Sequence, residues 1–194
     1  MPPLSPVIQA LLLINTGLYF AAELVNLSPL ALWPVGSNFL PWQVITYAFL
    51  HANFGHLFFN MLGIWMFGGE LERLWGPKRF LQFYFASVLT AAATQLLVCA
   101  LIGATFPTVG ASGGLFGLLL AFAMMFPTRT IVPLIPPIPM KAKTFVMIYG
   151  GLELFFGVTG TVSGVAHFAH LGGMLGGWLM IRYWRGQPPF GRRR

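Results

Sequence analysis

The sequence predicts an all-α fold, a polytopic membrane bundle of six transmembrane helices, and three observations support this prediction. Of the 194 residues, 57% are hydrophobic and only 8% are charged, and the mean hydropathy is +0.76. Apolar residues are spread along the whole chain, which argues against a cleaved leader followed by a water-soluble domain. The basic residues all fall on one side of a six-helix arrangement. We therefore expect the chain to lie in a bilayer.

Six segments have the apolar character of membrane spans, which need about 20 residues each. We place them at 6–25, 56–70, 79–102, 110–126, 143–159 and 164–184. The second has the weakest hydropathy because it is short and contains His56 and Asn60. Residues 25–53 hold several Pro and Trp residues and no Lys, Arg, Asp or Glu. This composition predicts an interfacial first loop between the first two spans.

The basic residues test this arrangement, because Lys and Arg concentrate in cytoplasmic loops. With six spans, the connections 71–78 and 127–142 and the C-terminus lie on one side of the membrane. These segments and the adjoining helix ends hold all eleven basic residues: Arg73, Lys78, Arg79, Arg129, Lys141, Lys143, Arg182, Arg185, Arg192, Arg193 and Arg194. The opposite loops hold none. We predict cytoplasmic N and C termini and one domain over 1–194, with a basic cytoplasmic tail from about 185 to 194.

Composition also excludes two other readings of the chain. The formal charge of +7 suggests nucleic-acid binding, but no basic stripe interleaved with polar residues is present, so we expect no nucleic-acid partner. The single cysteine, Cys99, can form no internal disulfide. Helix packing must therefore hold the fold.

The predicted topology brings five polar side chains to one depth. Spans two, four and six run in the same direction, so their first turns lie near the same leaflet. Those turns contain His56 and Asn60, Ser112, and His167 and His170. Polar groups of this kind inside a membrane usually face the bundle interior or a water-filled cavity. We expect them to form one site towards the outer side.

Small residues predict that the helices carrying this site approach each other closely. Gly113 and Gly117 form a row in span four, and Gly173 and Gly177 continue a row from His170 in span six. Such rows let helix backbones come into contact. A serine hydroxyl needs that proximity to reach an imidazole on another helix.

The residue types at this depth suit acyl transfer by a serine nucleophile. Ser112 paired with His167 as the general base forms a plausible dyad, because histidine titrates near neutral pH. His56, Asn60 and the backbone N–H of Ser112 are candidate donors to an oxyanion. None of the four Glu residues is placed by the topology as a third member, and Glu153 falls in the middle of span five.

Four further residues are candidates for supporting roles. Gly110 and Gly113 flank the serine, and Phe116, one turn later, has the position to stack under the catalytic imidazole. His170 is assigned to packing. Each has an ordinary structural interpretation as well, as a helix start or as core.

The motifs HANFGHLFFN at 51–60, GGELE at 68–72, GASG at 110–113 and AHFAHLGG at 166–173 together resemble the rhomboid family of intramembrane serine proteases. The resemblance runs from about residue 42 to 177. It implies that Ser112 is the nucleophile, that the first histidine of the last motif, His167, is the general base, and that His56 and Asn60 help to bind the oxyanion. It also implies a structural role for His51.

The resemblance further implies an intramembrane endopeptidase that cleaves membrane-protein substrates without a metal or other cofactor, through an acyl-enzyme. Family members favour small side chains before the cut and segments that unwind easily. A mobile span five, or the loop before span six, would admit substrate from the lipid. The chain departs from many members at Trp42-Gln43, where they have Trp-Arg, and at Phe116, where a tyrosine is common. The short termini favour a bacterial inner membrane.

Two other classes stay open. A metal site or metalloprotease would draw on the histidines, His51, His56, His167 and His170, but the chain has no His-Glu-x-x-His motif. A non-catalytic binder of membrane proteins is the other. Bound zinc would indicate the first class, and failure of Ser112 to react with a fluorophosphonate would indicate the second.

Overall fold

The computed structural model describes residues 4–134, 136–161 and 166–191, and within these ranges it is mostly helical, as predicted. The helices are α1 (Pro6–Ala21), α2 (Gln43–Thr46), α3 (Phe54–Gly63), α4 (Gly69–Trp75), α5 (Pro77–Ile102), α6 (Ser112–Met125), α7 (Ala142–Thr159) and α8 (His167–Trp184). Short 3₁₀ turns lie at Ser28–Leu30 and Tyr47–Phe49. One antiparallel hairpin, β1 (Thr130–Ile131) with β2 (Met140–Lys141), precedes α7, and the sequence analysis did not predict it.

The helix at the weakest predicted span is longer than 56–70. A π-helical turn at Ile64–Gly68 joins α3 to α4, so that helical backbone runs from Phe54 to Trp75. Its start is fixed by Asn53, whose Oδ1 accepts the backbone N–H of His56 at 2.8 Å. The first helix is shorter than predicted and ends at Ala21. The predicted start of span six, at 164, lies outside the described residues.

Of the described helices, α5 is long enough and apolar enough to cross a bilayer by length and composition, with a mean hydropathy of 2.0 over its most apolar stretch. The helices α1 and α6 are also apolar but shorter. Six spans with an interfacial first loop therefore stay a prediction.

Helix α8 lies between α5 and α6, and glycines make this packing possible. A Cβ atom on Gly173 would overlap the carbonyl oxygen of Gly113, and one on Gly177 would lie 3.2 Å from the Cα of Gly117. On the other face, a Cβ on Gly176 would overlap the hydroxyl of Thr90. The glycine rows of spans four and six do bring the two backbones into contact, as the sequence predicts.

Replacing Gly173 by alanine is expected to push α6 and α8 apart, because the obstacle is backbone and not a mobile side chain. We expect a loss of about 3 kcal/mol in the free energy of unfolding. Thermal unfolding in detergent measures this loss. Gly151→Ala on α7 is the matched control, since no atom lies within 4 Å of its added Cβ. Equal stability of the two variants would contradict the close packing.

The basic connections meet at one end of the bundle. Arg129, after α6, forms an ion pair of 3.3 Å with Glu70 of α4. The guanidinium of Arg79, at the start of α5, lies 5.9 Å from the ring centroid of Trp184 at the end of α8. These contacts fit the predicted clustering of charge, whereas residues 192–194 lie outside the described part. Orientation in the membrane stays a prediction.

A buried glutamine anchors the loop over 25–53. Gln43 is 0% exposed, and its Nε2 donates to the carbonyl oxygens of Pro29 and Asn38, both at 3.1 Å. Its Oε1 accepts the backbone N–H of Trp33. Thus Gln43, at the position where many members of the family that the sequence resembles have arginine, satisfies three polar groups of the loop without a charge.

A buried carboxylate joins the first helix to the rest of the bundle. Glu72 is 2% exposed and accepts the backbone N–H groups of Val7 and Ile8, at 3.1 and 3.0 Å. The first N–H groups of a helix have no acceptor within it, and a negative charge is favourable at that end. This contact gives the last residue of the GGELE motif a structural role.

Candidate active site

Ser112 is the first residue of α6, and a glycine turn delivers it there. Gly110 has φ of +134°, a conformation that side chains disfavour, and its N–H donates to the Tyr47 carbonyl at 3.0 Å. The Tyr47 hydroxyl in turn donates to the Val88 carbonyl of α5 at 2.8 Å. The turn is thereby tied to the loop over 25–53 and to the bundle core. The N–H groups of the first turn of α6 point out of the helix beside the serine.

The Ser112 hydroxyl is hydrogen-bonded to His170. Ser112 Oγ and His170 Nε2 are 2.8 Å apart, and the imidazole is 8% exposed. The ring of Phe116 lies parallel to it, with centroids 4.3 Å apart and planes inclined by 6°. The structure therefore corrects the predicted pairing of Ser112 with His167 and the assignment of His170 to packing. The predicted stacking of Phe116 on an imidazole is found, on His170.

The glycine contact explains which histidine meets the serine. Gly173 abuts Gly113, and Ser112 is the residue directly before Gly113. His170, one turn before Gly173, is therefore nearer to the level of Ser112 than His167 is. His167 lies a further turn towards the start of α8 and is 7% exposed.

The histidines of α8 share a carboxylate that the sequence analysis did not place in the site. Glu153 Oε2 is hydrogen-bonded to His167 Nδ1 at 2.6 Å and lies 2.9 Å from His170 Nδ1. The second contact has ion-pair distance but not the angle of a hydrogen bond. The expectation that no acid is placed as a third member is therefore wrong. An ionisable residue in the middle of an apolar segment was the signal that pointed to it.

His56 lies against the turn that carries Ser112. A Cβ on Gly110 would be 2.7 Å from His56 Nε2 and 3.4 Å from Ser112 Oγ, so both atoms flank this glycine. The backbone N–H of Ala52 donates to His56 Nδ1 at 3.4 Å. A neutral ring that accepts at Nδ1 carries its proton on Nε2. His56 thus presents a donor towards the serine.

Asn60 is buried one turn along α3 and is 4% exposed. Its Nδ2 donates to the His56 carbonyl at 2.8 Å, which uses one of the two amide hydrogens. The structure brings Asn60 to the same helix face as His56, as the spacing predicts.

His51 supports the site from outside it. Its ring contacts that of His56 edge-on, with centroids 5.0 Å apart. Burial, and secondarily the nearby His56, lowers the pKa of His51 to about 3. It is therefore neutral at physiological pH, as a structural residue would be.

One group of described residues has the donors and spacing for a metal ion. The candidate ligand atoms of Glu153, His167 and His170 lie within 4.8 Å of one another. This set differs from the four histidines considered from the sequence, since His51 and His56 are not part of it. It also contains a carboxylate, that of Glu153, which was not expected in the site from the sequence.

A family profile and several known proteins match the chain. The Rhomboid domain profile matches residues 38–186. The chain is 31% identical over 144 residues to the rhomboid protease GluP of Bacillus subtilis (strain 168), covering 71% of this chain and 25% of that protein. It is 33% identical over 151 residues to Rhomboid protein 1, mitochondrial, of Saccharomyces cerevisiae (strain ATCC 204508 / S288c), covering 71% and 40%. It is 28% identical over 155 residues to the rhomboid protease GlpG of Yersinia pestis (strain Pestoides F), covering 78% and 51%.

The fold and the matched region define a membrane-embedded helical protein. The chain belongs to the rhomboid family, and it is accordingly an integral membrane protein. It spans about a quarter to a half of the length of these three relatives. Two of the relatives are named as proteases.

Proposed function

We propose that the chain is an intramembrane serine endopeptidase that cleaves transmembrane segments of other membrane proteins. The observation that carries this proposal is the 2.8 Å contact between Ser112 Oγ and His170 Nε2. A serine becomes a useful nucleophile when a base within hydrogen-bond distance removes its proton. Membership of the rhomboid family and the relatives named as proteases support the same reaction.

The mechanism follows from the positions of the groups. Ser112 Oγ attacks the scissile carbonyl carbon while its proton passes to His170 Nε2. The carbonyl carbon becomes tetrahedral, and its oxygen becomes an oxyanion. The C–N bond then breaks, and His170 gives the proton to the leaving amine, which leaves an acyl group on Ser112. Water then attacks this ester while His170 takes its proton, and His170 returns that proton to Ser112 Oγ as the C–O bond breaks and the second product leaves.

The oxyanion would be bound by donors on two helices. His56 presents Nε2–H beside Ser112, and the first backbone N–H groups of α6 also lie beside Ser112, because the helix begins there. The second amide hydrogen of Asn60 is a further candidate donor. Donors fixed in place before the reaction, in a site shielded from water, are usually the largest contribution to this type of catalysis.

The finer membrane placement belongs to the same proposal. Six spans, cytoplasmic termini and an active site towards the outer face follow from the distribution of Lys and Arg. Three residues with exposed apolar side chains on α7 are suited to contact lipid or an incoming transmembrane segment: Met147, Phe155 and Val158. A bacterial inner membrane is proposed as the location.

Labelling with a fluorophosphonate tests the nucleophile independently of any substrate. We expect one label per chain, located at Ser112 by mass spectrometry, because only an activated serine reacts readily. Ser37→Ala is the control, since Ser37 is exposed in the loop over 25–53 and distant in sequence from the site. Equal labelling of Ser112→Ala and wild type would contradict the proposal and favour a non-catalytic binder.

A further inference from the structure

Glu153 is an acidic residue within an apolar helix, and the proposed pair of Ser112 and His170 does not account for it. Its side chain is 14% exposed, while its neighbours Leu152 and Leu154 are 42% and 52% exposed. A charged group inside a membrane helix is costly unless it faces the bundle interior and finds a partner. Glu153 does face inwards, towards the first turn of α8.

One oxygen of this carboxylate contacts two imidazoles. Oε2 lies 2.6 Å from His167 Nδ1 and 2.9 Å from His170 Nδ1. These histidines are three residues apart and therefore share one face of α8. The far side of the His170 ring, at Nε2, is the atom that contacts Ser112 Oγ. Glu153, His170 and Ser112 are thus connected in a line across three helices.

The carboxylate determines which nitrogen of His170 carries the proton. An ionised carboxylate only accepts hydrogen bonds, so a neutral ring that faces it with Nδ1 carries its hydrogen there. Nε2 is then the free acceptor, as a general base for the serine hydroxyl requires. The opposite tautomer would place a hydrogen between Nε2 and Ser112 and would prevent proton removal.

We propose that Glu153 is a positioning residue that extends the Ser112–His170 pair to a Ser–His–Glu triad, with His167 holding the carboxylate. This inference rests on the proposed function. When Ser112 attacks, its proton moves to Nε2 and His170 becomes a cation, while Glu153 stays ionised and stabilises that cation. The stabilisation is large because the effective dielectric constant inside the site is low.

His167 has a defined part in this arrangement. Its hydrogen bond keeps Oε2 within 2.9 Å of His170 before the reaction, although the angle to His170 is not yet that of a hydrogen bond. Catalytic hydrogen bonds are often misaligned without substrate and tighten in the complex. The hydrogen bond from His167 thus keeps the Glu153 carboxylate oriented towards His170, as outer hydrogen bonds do for the groups of other active sites.

A purely structural role for Glu153 makes a different prediction. The buried side chains of α7 are Ala142, Phe145 and Val146, all in its first turns. The later half approaches α8 at Glu153 and at Gly157, where a Cβ would lie 3.3 Å from the His167 Cβ. If Glu153 only fastened this half of α7, its loss would alter the access of substrate and hence KM. A triad residue instead changes kcat and the reactivity of Ser112.

The test compares Glu153→Gln with wild type in liposomes, with Leu154→Ala as the control on the same helix. We expect kcat to fall at least about 30-fold with KM within about threefold, and Ser112 to react with a fluorophosphonate slower by a similar factor. Glu153→Asp, which keeps the charge, should recover part of both rates. Leu154→Ala should match wild type.

Three results would overturn the triad. The first is that Glu153→Gln keeps wild-type kcat and wild-type labelling, and the second is that Glu153→Gln has a raised KM with unchanged kcat. The third is that each wild-type chain binds one zinc ion tightly and Glu153→Gln does not. Glu153→Asp as slow as Glu153→Gln, with both variants unfolding at the wild-type temperature, would also contradict it. Failure of the proposed function looks different, because Ser112→Ala would then keep wild-type activity whatever Glu153 does.

Discussion

Replacing His170 by glutamine is expected to reduce the cleavage of a transmembrane substrate by at least about 10³-fold, because it removes the base from Ser112. Glutamine retains polarity and approximate size but has no nitrogen that takes up a proton at neutral pH. The stacking on Phe116 and the 2.8 Å contact with Ser112 make His170 the ring in position for this step.

His167→Gln is the matched control, since it makes the same substitution three residues earlier on the same helix. It removes a hydrogen bond to Glu153 but leaves the base in place, so we expect cleavage within about tenfold of wild type. Rates of both variants, measured on protein of confirmed folding, decide between the two histidines. A larger loss in His167→Gln than in His170→Gln would restore the assignment that the sequence predicted.

Ser112→Ala is expected to have the other largest effect, a fall of at least about 10⁴-fold in kcat. Without the oxygen no acyl-enzyme forms, and the remaining groups offer only an oxyanion site and a base for water. Stability should fall by only about 1 kcal/mol, because the substitution removes one hydrogen bond, that between Ser112 Oγ and His170 Nε2. Single-turnover cleavage and thermal unfolding measure the two properties separately.

Residual cleavage in Ser112→Ala has a diagnostic use. If the rate stays within tenfold of wild type, the reaction does not pass through an acyl-enzyme at this serine. If Ser112 and His170 do act in one mechanism, a double variant, Ser112→Ala with His170→Gln, should be little slower than Ser112→Ala alone, because residues that act as a unit do not contribute additively. Additive losses would contradict a shared mechanism.

Much of the helical framework could be predicted from the sequence, because apolar length and glycine spacing are local properties. The span predicted at 110–126 agrees with α6 to within two residues, and the one at 143–159 agrees with α7 to within one. The span at 56–70 was predicted too short, since hydropathy does not register a helix that continues through Glu70 and Glu72.

The histidine that contacts Ser112 was harder to predict, because His167 and His170 lie on one face of the same helix. Hydropathy and charge fix the depth of α8 only to about a turn, and one turn separates the two rings. The row formed by His170, Gly173 and Gly177 favours His170, because Gly173 contacts Gly113 and His170 is the histidine nearer to that contact.

Glu153 could not be placed from the sequence because α7 is apolar around most of its circumference. Such a helix has no polar side from which its rotation can be read. Only the packed structure shows that Glu153 points at α8 rather than at lipid. A rule that ionisable residues within spans mark sites would have selected it without giving its partners.

The central claim is tested most directly with wild-type protein reconstituted alone in liposomes with a single-span reporter protein. The account predicts cleavage at a peptide bond within or next to the transmembrane segment, found by mass spectrometry, that persists in a metal chelator and is lost in Ser112→Ala. No cleavage by the folded wild type, or cleavage that Ser112→Ala retains, would contradict it.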